Sequence, residues 1–197
     1  MKHSKLISYL SSNLDVDKNE ILSLVESCTI KIVPRDTFLL REDEHCGHTF
    51  FVESGLLRQY AIDSKGKQHT ISFAPENWFL PDRESVYFGL PSSYYIQAQE
   101  TSKVMLIDET FMSTLSERIP SFTKFNNKLL HNHIRHLQHR IHMLLSASAE
   151  ERYLQFIKMY PDILLRVPQT MVASYLGITP ESLSRVRKEL ARKNFRK

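Results

Sequence analysis

Five polar side chains near the end of the sequence recur at helical spacing, and their types suit the reading of nucleic-acid bases. An arginine guanidinium can donate two hydrogen bonds to a guanine edge, and a glutamate can accept one from a cytosine amino group. At about 100° of rotation per residue, one helix over residues 179–192 turns all five to the same side: Glu181, Ser184, Arg185, Lys188 and Arg192. The first four are candidate base-reading residues, although Lys188 and Arg192 could each reach either a base or the backbone.

The residues around this face predict a helix-turn-helix that begins at residue 169. Gly177 suits the left-handed turn, Thr179 can cap the second helix, and Pro180 fits its first position. Small or apolar side chains recur where two crossing helices would face each other: Val172, Ala173, Leu176, Ile178, Leu183, Val186 and Leu190. The pattern therefore fixes which side of the second helix is exposed.

Short polar side chains lie near both predicted helix starts. They are Gln169 and Thr170 on the first helix, and Thr179 and Ser182 on the second. Such groups, together with free backbone N–H groups, can hold phosphates. We interpret these four and Arg192 as candidate phosphate contacts.

Positive charge is concentrated in this segment. From residue 166 to residue 197 the sequence has eight lysines and arginines and two glutamates, whereas the whole chain has a formal charge of +4. The residues before position 166 are therefore slightly acidic, and a polyanion partner is expected at the basic end.

Short strand-like segments broken by turns occupy residues 29–107. Their spacing predicts a barrel or jelly roll, with hairpin joints at Gly55 and Gly66. Asp17 and Glu20 predict a capping box on a lead-in helix. We predict an α+β chain: lead-in helices and barrel over 1–118, a dimerisation helix over 119–147, and a DNA-binding domain over 148–197.

The long helix carries a narrow apolar stripe with steps of four and three residues, as in the seam of a coiled coil: Leu130, Ile134, Leu137, Ile141 and Leu144. A narrow stripe with polar flanks favours a partner helix over a broad core, so a homodimer is predicted. Packing on the chain's own barrel is the alternative. Five histidines at 131, 133, 136, 139 and 142 are interpreted as a solvated face, without a metal.

Other features limit the class of protein. The start of the chain has no signal-peptide pattern, and no stretch is apolar enough for a membrane span, so a cytoplasmic location is expected. Cys28 and Cys46 are too few for a disulfide framework and are interpreted as packed thiols. No cofactor is predicted.

This order of barrel, long helix and helix-turn-helix resembles the Crp/Fnr family of bacterial transcription regulators. The resemblance is carried by "VPQTMVASYLGITPESLSRVRKEL" and, more loosely, by "FFVESGLLRQYAIDSKGKQHTISFAPENWF". It implies a dimer that places a recognition helix in the major groove, with RNA polymerase as an expected partner. It also implies base reading by Glu181 and Arg185 and phosphate contacts by Thr179 and Ser182.

The sequence departs from that family in two places. Its cyclic-nucleotide binders have a Gly-Glu and an Arg-Ser pair where this sequence has Pro81-Asp82 and Ser92-Ser93. Without the arginine a buried cyclic phosphate would meet no cation, so no cyclic AMP binding is predicted. The chain also stops at "ARKNFRK", so the wing that usually follows the recognition helix is expected to be shortened or missing.

The aromatic region 78–95 could form a pocket for an unidentified effector, or it could be plain barrel core. The candidate pocket residues are Trp78, Phe79, Asp82, Tyr94 and Tyr95. A ligand there would act by shifting the population of two dimer arrangements.

Two other classes of function stay open. A metal-dependent cupin-like enzyme or a metal sensor is one of them, because a metal could be bound by His45, His48 and Glu53. The spacing argues against such a site, since histidines three apart on a strand point to opposite faces. A sensor that acts through protein partners, with a degenerate DNA-binding motif, is the other class. The positive reading face argues against it.

Overall fold

The computed structural model describes residues 4–194 and contains two compact units. Within the described residues, the first comprises 4–61 and 72–131, and the second comprises 62–71 and 132–194. The boundary between the units falls after residue 131, inside the long helix, and the predicted domain bounds at 118 and 147 stay a prediction. The same division assigns a short hairpin from the strand region to the unit that contains the C-terminal helices.

The strands are short and lie within the predicted region. Their bounds are β1 Thr29–Val33, β2 Phe38–Leu40, β3 Thr49–Ser54, β4 Leu57–Ile62, β5 Gln68–Ala74, β6 Phe79–Pro81, β7 Tyr95–Ala98 and β8 Ser102–Ile107. Two four-stranded sheets form, in the orders β1-β8-β3-β6 and β2-β7-β4-β5. This arrangement confirms the predicted barrel of antiparallel strands.

The helices follow the predicted order around and after the strands. Their bounds are α1 Lys5–Asn13, α2 Lys18–Val25, α3 Arg83–Phe88, α4 Glu109–Arg118, α5 Pro120–Ser146, α6 Ala149–Met159, α7 Ile163–Arg166, α8 Gln169–Leu176 and α9 Pro180–Asn194. Between residues 4 and 194, every helix lacks the length or the apolar character that crossing a membrane requires.

Strand alternation gives the first unit two apolar clusters. Phe50, on β3, packs between the sheets with buried residues from all eight strands. Phe51 points to the opposite face and packs with α1, α2 and α4. The lead-in helices therefore cover one sheet and belong to the core, as expected when successive strand residues point to opposite faces.

Two local predictions were incomplete. β6 and α3 were not predicted, because residues 78–90 show neither a strand period nor a helical period. Asp17 does cap α2, accepting from Asn19 N–H at 2.7 Å, but no reciprocal contact from Glu20 is found among the described hydrogen bonds. The described capping box joins Ser148 and Glu151 at the start of α6.

Gly55 is expected to be the glycine of this fold that least tolerates a side chain. Its φ is +94°, and an added Cβ would lie 2.7 Å from the backbone Cα of buried Ser102. Strain and overlap together predict that Gly55→Ala lowers the free energy of unfolding by about 2–5 kcal/mol. Urea unfolding measures this loss.

Gly66 provides the matched control. Its φ is +78°, but an added Cβ would meet no heavy atom within 4 Å. Gly66→Ala should therefore cost only the backbone strain, about 1–2 kcal/mol. Equal losses of unfolding free energy in Gly55→Ala and Gly66→Ala would show that overlap with Ser102 does not contribute to the cost.

Candidate nucleic-acid interface

The predicted helix-turn-helix is confirmed as α8, a turn at Gly177, and α9. Gly177 has φ +66° and ψ +35°, and its N–H donates to the Ser174 carbonyl at 3.1 Å. The next N–H, of Ile178, reaches the Ala173 carbonyl at 3.0 Å. These two bonds close the end of α8 around a left-handed residue, which is the conformation that glycine adopts at least cost.

The start of α9 is built as the sequence indicates. Thr179 precedes Pro180, the first residue of the helix, and its hydroxyl accepts from Ser182 N–H at 3.2 Å. The Thr179 carbonyl accepts from Leu183 N–H at 3.0 Å. Threonine thus satisfies one of the free N–H groups of the first turn, and proline occupies a position where its missing N–H is no loss.

The inward side of the motif is apolar and buried. Val172, Leu176 and Leu183 are at most 3% exposed, and Ala173 is 1% exposed. Ile178 and Leu190 are half-buried. With this side fixed against the rest of the unit, the opposite side of α9 must face outward.

The outward side of α9 carries the predicted reading residues. Glu181, Arg185, Lys188 and Arg192 are exposed, and Ser184 is half-buried between them. All five border one shallow surface depression together with Pro180 and Glu189. The structure therefore brings the predicted residues together on one open surface, called the reading face below.

Glu181 is a hydrogen-bond acceptor in the free protein. Its own backbone N–H and the Thr179 hydroxyl donate to the carboxylate, and both bonds lower the pKa of Glu181 below its usual value. The carboxylate is therefore ionised at neutral pH, in the form that can accept a hydrogen bond from a base amino group.

The predicted phosphate contacts lie at the two helix starts. Gln169 and Thr170 are exposed in the first turn of α8, where Pro168 precedes the helix and offers no side-chain cap. Thr179 is exposed and Ser182 half-buried at the start of α9. Each start therefore presents short polar groups beside backbone N–H groups, the combination that holds phosphate oxygens.

A further contact, which the sequence alone did not indicate, anchors the far end of α9. Lys193 Nζ lies 2.7 and 2.8 Å from the two carboxylate oxygens of Glu150 on α6. Glu150 lies in the first turn of α6, which is stabilised by the capping box of Ser148 and Glu151. Residues 195–197, on which the predicted shortened wing falls, lie outside the described residues.

The apolar stripe of α5 is open in the single chain. Ile134 is 50% exposed, Leu137 39%, Ile141 57% and Leu144 40%, and Leu130 is half-buried. These five residues are called the seam below. Apolar side chains exposed in one continuous row mark a surface that another element covers.

The predicted effector residues lie in separate environments. Phe79 packs on Phe51 and Tyr9, with ring centroids 4.9 and 5.6 Å apart. Tyr95 stacks on Tyr60 at 5.2 Å, Trp78 borders the cluster between the sheets, and Tyr94 is half-buried. Phe79 and Trp78 thus pack against the two apolar clusters of the unit, and an effector pocket at these residues stays a prediction.

Asp82, the fifth of these residues, joins the two places that differ from the cyclic-nucleotide binders. Its buried carboxylate accepts from Ser92 Oγ at 2.5 Å and from Ser85 N–H at 3.0 Å. Ser92 Oγ also accepts from Tyr94 N–H at 3.0 Å. Ser92 thus stands where such a binder has its arginine, and its hydroxyl is bonded to Asp82, which stands where the binder has a glutamate.

The possible metal set does not form. Both carboxylate oxygens of buried Glu53 are used at the start of α1, where they accept from Lys5 N–H at 2.8 Å, from Leu6 N–H at 3.1 Å, and from the Ser4 hydroxyl. Across residues 4–194, no three His, Cys, Asp or Glu side chains are placed to hold a metal ion. Glu53 is therefore a helix cap supplied by β3.

The cysteines are packed thiols, Cys46 buried and Cys28 half-buried. Burial, together with the charge of Asp108, raises the pKa of Cys28 to about 11. Burial also raises the pKa of Cys46, whose Sγ lies 3.2 Å from the His48 carbonyl oxygen. Both therefore stay protonated and weakly nucleophilic at neutral pH.

The fold and site define a class: a sensor-type β barrel followed by a long helix and a helix-turn-helix. Residues 30–118 match the family model of the cyclic nucleotide-binding domain. The chain is 26% identical over 163 residues to the transcriptional activator protein anr of Pseudomonas aeruginosa, and 25% identical over 162 residues to the transcriptional activator protein FnrA of Stutzerimonas stutzeri. These alignments cover 76% and 75% of this chain, and 65% and 64% of the relatives.

Among solved structures, FixK2 from Bradyrhizobium japonicum superposes with a TM-score of 0.71 at 19% identity, covering 85% of this chain and 86% of FixK2. That likeness shows the shared fold. The chain spans about two thirds of the length of the curated relatives it matches. The resemblance to the Crp/Fnr family is therefore confirmed: residues 30–118 match the cyclic nucleotide-binding domain, and 85% of the chain shares the fold of FixK2.

Proposed function

We propose that this protein is a sequence-specific DNA-binding regulator of transcription that acts as a homodimer in the cytoplasm. The observation that carries the proposal is the reading face, an exposed set of base-reading side chain types on the second helix of a helix-turn-helix. Relatives named as transcriptional activators support it. The proposal includes no catalytic residue.

In this proposal α9 enters the major groove and its residues have separate tasks. Arg185 donates two hydrogen bonds to a guanine, and Glu181 accepts one from a cytosine amino group. The polar groups at the starts of α8 and α9 hold backbone phosphates and set the register. Lys188 and Arg192, further along the reading face, add positive charge that strengthens binding at low salt.

The seam on α5 supplies the homodimer. Two copies that pair along this row would bury the exposed leucines and isoleucines and would present two reading faces to a near-palindromic operator. RNA polymerase is an expected partner of a regulator bound at a promoter. An effector of the barrel would act by changing the population of dimer arrangements that fit the operator.

Selection from random duplex DNA tests the proposal directly. Purified protein is incubated with a random library at near-physiological salt, without added ligand, and the retained duplexes are sequenced. A two-fold symmetric motif is the expected result. If no motif is enriched, either with protein alone or after addition of cell extract as a source of effector, sequence-specific binding is wrong.

Cyclic AMP is expected not to bind. Ser92 stands where the cyclic-nucleotide binders have their arginine, and its hydroxyl is bonded to the buried Asp82 carboxylate. A cyclic phosphate would therefore lie beside an anion without that arginine, which is strongly disfavoured. Titration calorimetry with cyclic AMP should show no binding heat. A dissociation constant in the micromolar range would show that the arginine is not needed, and the prediction would be wrong.

A further inference from the structure

The hairpin between β4 and β5 is held firmly in shape by one aspartate. Asp63 Oδ1 accepts from Lys65 N–H at 2.9 Å and Lys67 N–H at 3.0 Å. Its other oxygen lies 2.8 Å from His69 Nε2, and Gly66 has φ +78° in the turn. This hairpin, residues 62–71, belongs to the same compact unit as the helix-turn-helix.

Ser174 joins the hairpin to the last turn of α8. Its hydroxyl donates to the Gln68 carbonyl at 3.0 Å and accepts from Thr70 N–H at 2.9 Å. The hydroxyl therefore bonds the strand backbone as a neighbouring strand would, across more than 100 residues of sequence. Thr70 is 2% exposed, so the bond to its N–H is partly shielded from water, whereas the bond to the Gln68 carbonyl is exposed.

Arg140 on α5 contacts the hairpin and α8 at once. Its guanidinium donates to the Ile71 carbonyl, to the Thr70 carbonyl at 3.1 Å and to the Tyr175 carbonyl at 3.2 Å. It also lies over the Tyr175 ring, 4.0 Å from the centroid. That ring packs on Phe156 at 5.3 Å in the aromatic core of the unit.

These contacts are concentrated just before the turn that sets the direction of α9. Tyr175 is separated from Gly177 by one residue and Ser174 by two, and the Ser174 carbonyl accepts from the Gly177 N–H. A shift of this last turn of α8 would move the turn and the helix that follows it. The planar guanidinium suits such a role, because several fixed donors hold several carbonyls in one geometry.

We propose that the hairpin is a structural part of the DNA-binding unit, and that Arg140 and Ser174 are positioning residues that fix α8, and through Gly177 the reading helix α9. This inference rests on the proposed function. Neither residue lies on the reading face, so each acts on operator binding through geometry and not through contact with DNA.

Paired variants test this role. Ser174→Ala removes the hydroxyl, whereas Ser174→Thr keeps it. Arg140→Ala removes the guanidinium, whereas Arg140→Lys keeps the charge but loses the fork of donors. Operator affinity should fall about fivefold to tenfold in Ser174→Ala, Arg140→Ala and Arg140→Lys, and Ser174→Thr should bind as the unchanged protein does. Affinity for random DNA should change less than twofold in the Ser174 variants and in Arg140→Lys.

Amide hydrogen exchange of the full chain measures the docking itself. The Thr70 N–H should exchange faster in Ser174→Ala than in Ser174→Thr. Faster exchange with an unchanged ratio of operator to random affinity would show that the contact does not position α9, and the inference would be wrong. Unchanged exchange would show that the hairpin does not dock through Ser174.

The exchange measurement also separates this inference from the proposed function. If the unchanged protein selects no DNA motif, the proposed function is wrong, and so is the role of Arg140 and Ser174 in positioning a reading helix. The docking of the hairpin on α8 is then still decided by the Thr70 exchange rates.

Discussion

Arg185→Ala is expected to abolish specific operator binding while the dimer stays intact. Arg185 is exposed at the centre of the reading face, and a bidentate arginine–guanine contact discriminates by about 1–3 kcal/mol. A homodimer makes this contact twice, so the loss should be about 2–6 kcal/mol, or roughly 30-fold to more than 10,000-fold in affinity. Competition binding with the selected operator and with random duplex measures it.

Arg187→Ala is the matched control for this experiment. Arg187 is exposed on the same helix but points away from the reading face, about 160° around the axis from Arg185. The substitution Arg187→Ala therefore removes the same charge as Arg185→Ala without removing a base contact. Operator preference should survive in Arg187→Ala, with only a modest loss at low salt. Equal losses in the two variants would mean that charge, and not base reading, explains the effect.

Lys188 and Arg192 complete the comparison along α9. Loss of a phosphate contact weakens binding to all sequences alike and lowers the slope of log affinity against log salt by about one. Loss of a base contact changes the preferred sequence and leaves that slope unchanged. Measuring the salt slope and the preferred sequence of Lys188→Ala and Arg192→Ala thus shows whether each side chain contacts a base or a phosphate. An Arg185→Ala protein with unchanged sequence preference would show that the reading face is misassigned.

The helix-turn-helix could be predicted because its signals are local. Gly177, Thr179 and Pro180 each have a backbone preference that follows from the residue type. The buried row of α9 recurs at helical spacing, so the exposed row follows from it. Of the five predicted reading residues, four are exposed and Ser184 is half-buried, as this spacing leads one to expect. Their contacts with DNA stay a prediction.

The hairpin docking could not be predicted, because its signals are not local. Arg140 has the same sequence appearance as the other polar residues that flank the seam, but its carbonyl partners lie 69 and 70 residues away. Ser174 appears as an ordinary polar position on α8. Glu53 is similar, since it was weighed as a metal ligand but caps a helix that begins 48 residues earlier. Residue type alone does not reveal such long-range partners.

Leu137→Lys is expected to convert the dimer into monomers. Leu137 lies at the middle of the seam, and its side chain is 39% exposed in the single chain. In a paired seam each copy would bury the exposed part of its leucine, worth about 0.6–1.2 kcal/mol per side chain. The variant replaces both leucines by ammonium groups that face each other in an apolar row, which adds a desolvation cost. Multi-angle light scattering should report a mass near that of one chain, 23.1 kDa.

His139→Lys separates the seam from the rest of α5. His139 is exposed on the same helix and lies about 160° around the axis from Leu137, so the substitution adds the same charge away from the seam. It should stay dimeric. A dimeric Leu137→Lys protein would place the interface elsewhere, and monomers in both variants would point to general charge repulsion. Monomeric Leu137→Lys should also lose operator affinity, because the two reading faces are then no longer joined and the second half-site gains nothing from the first.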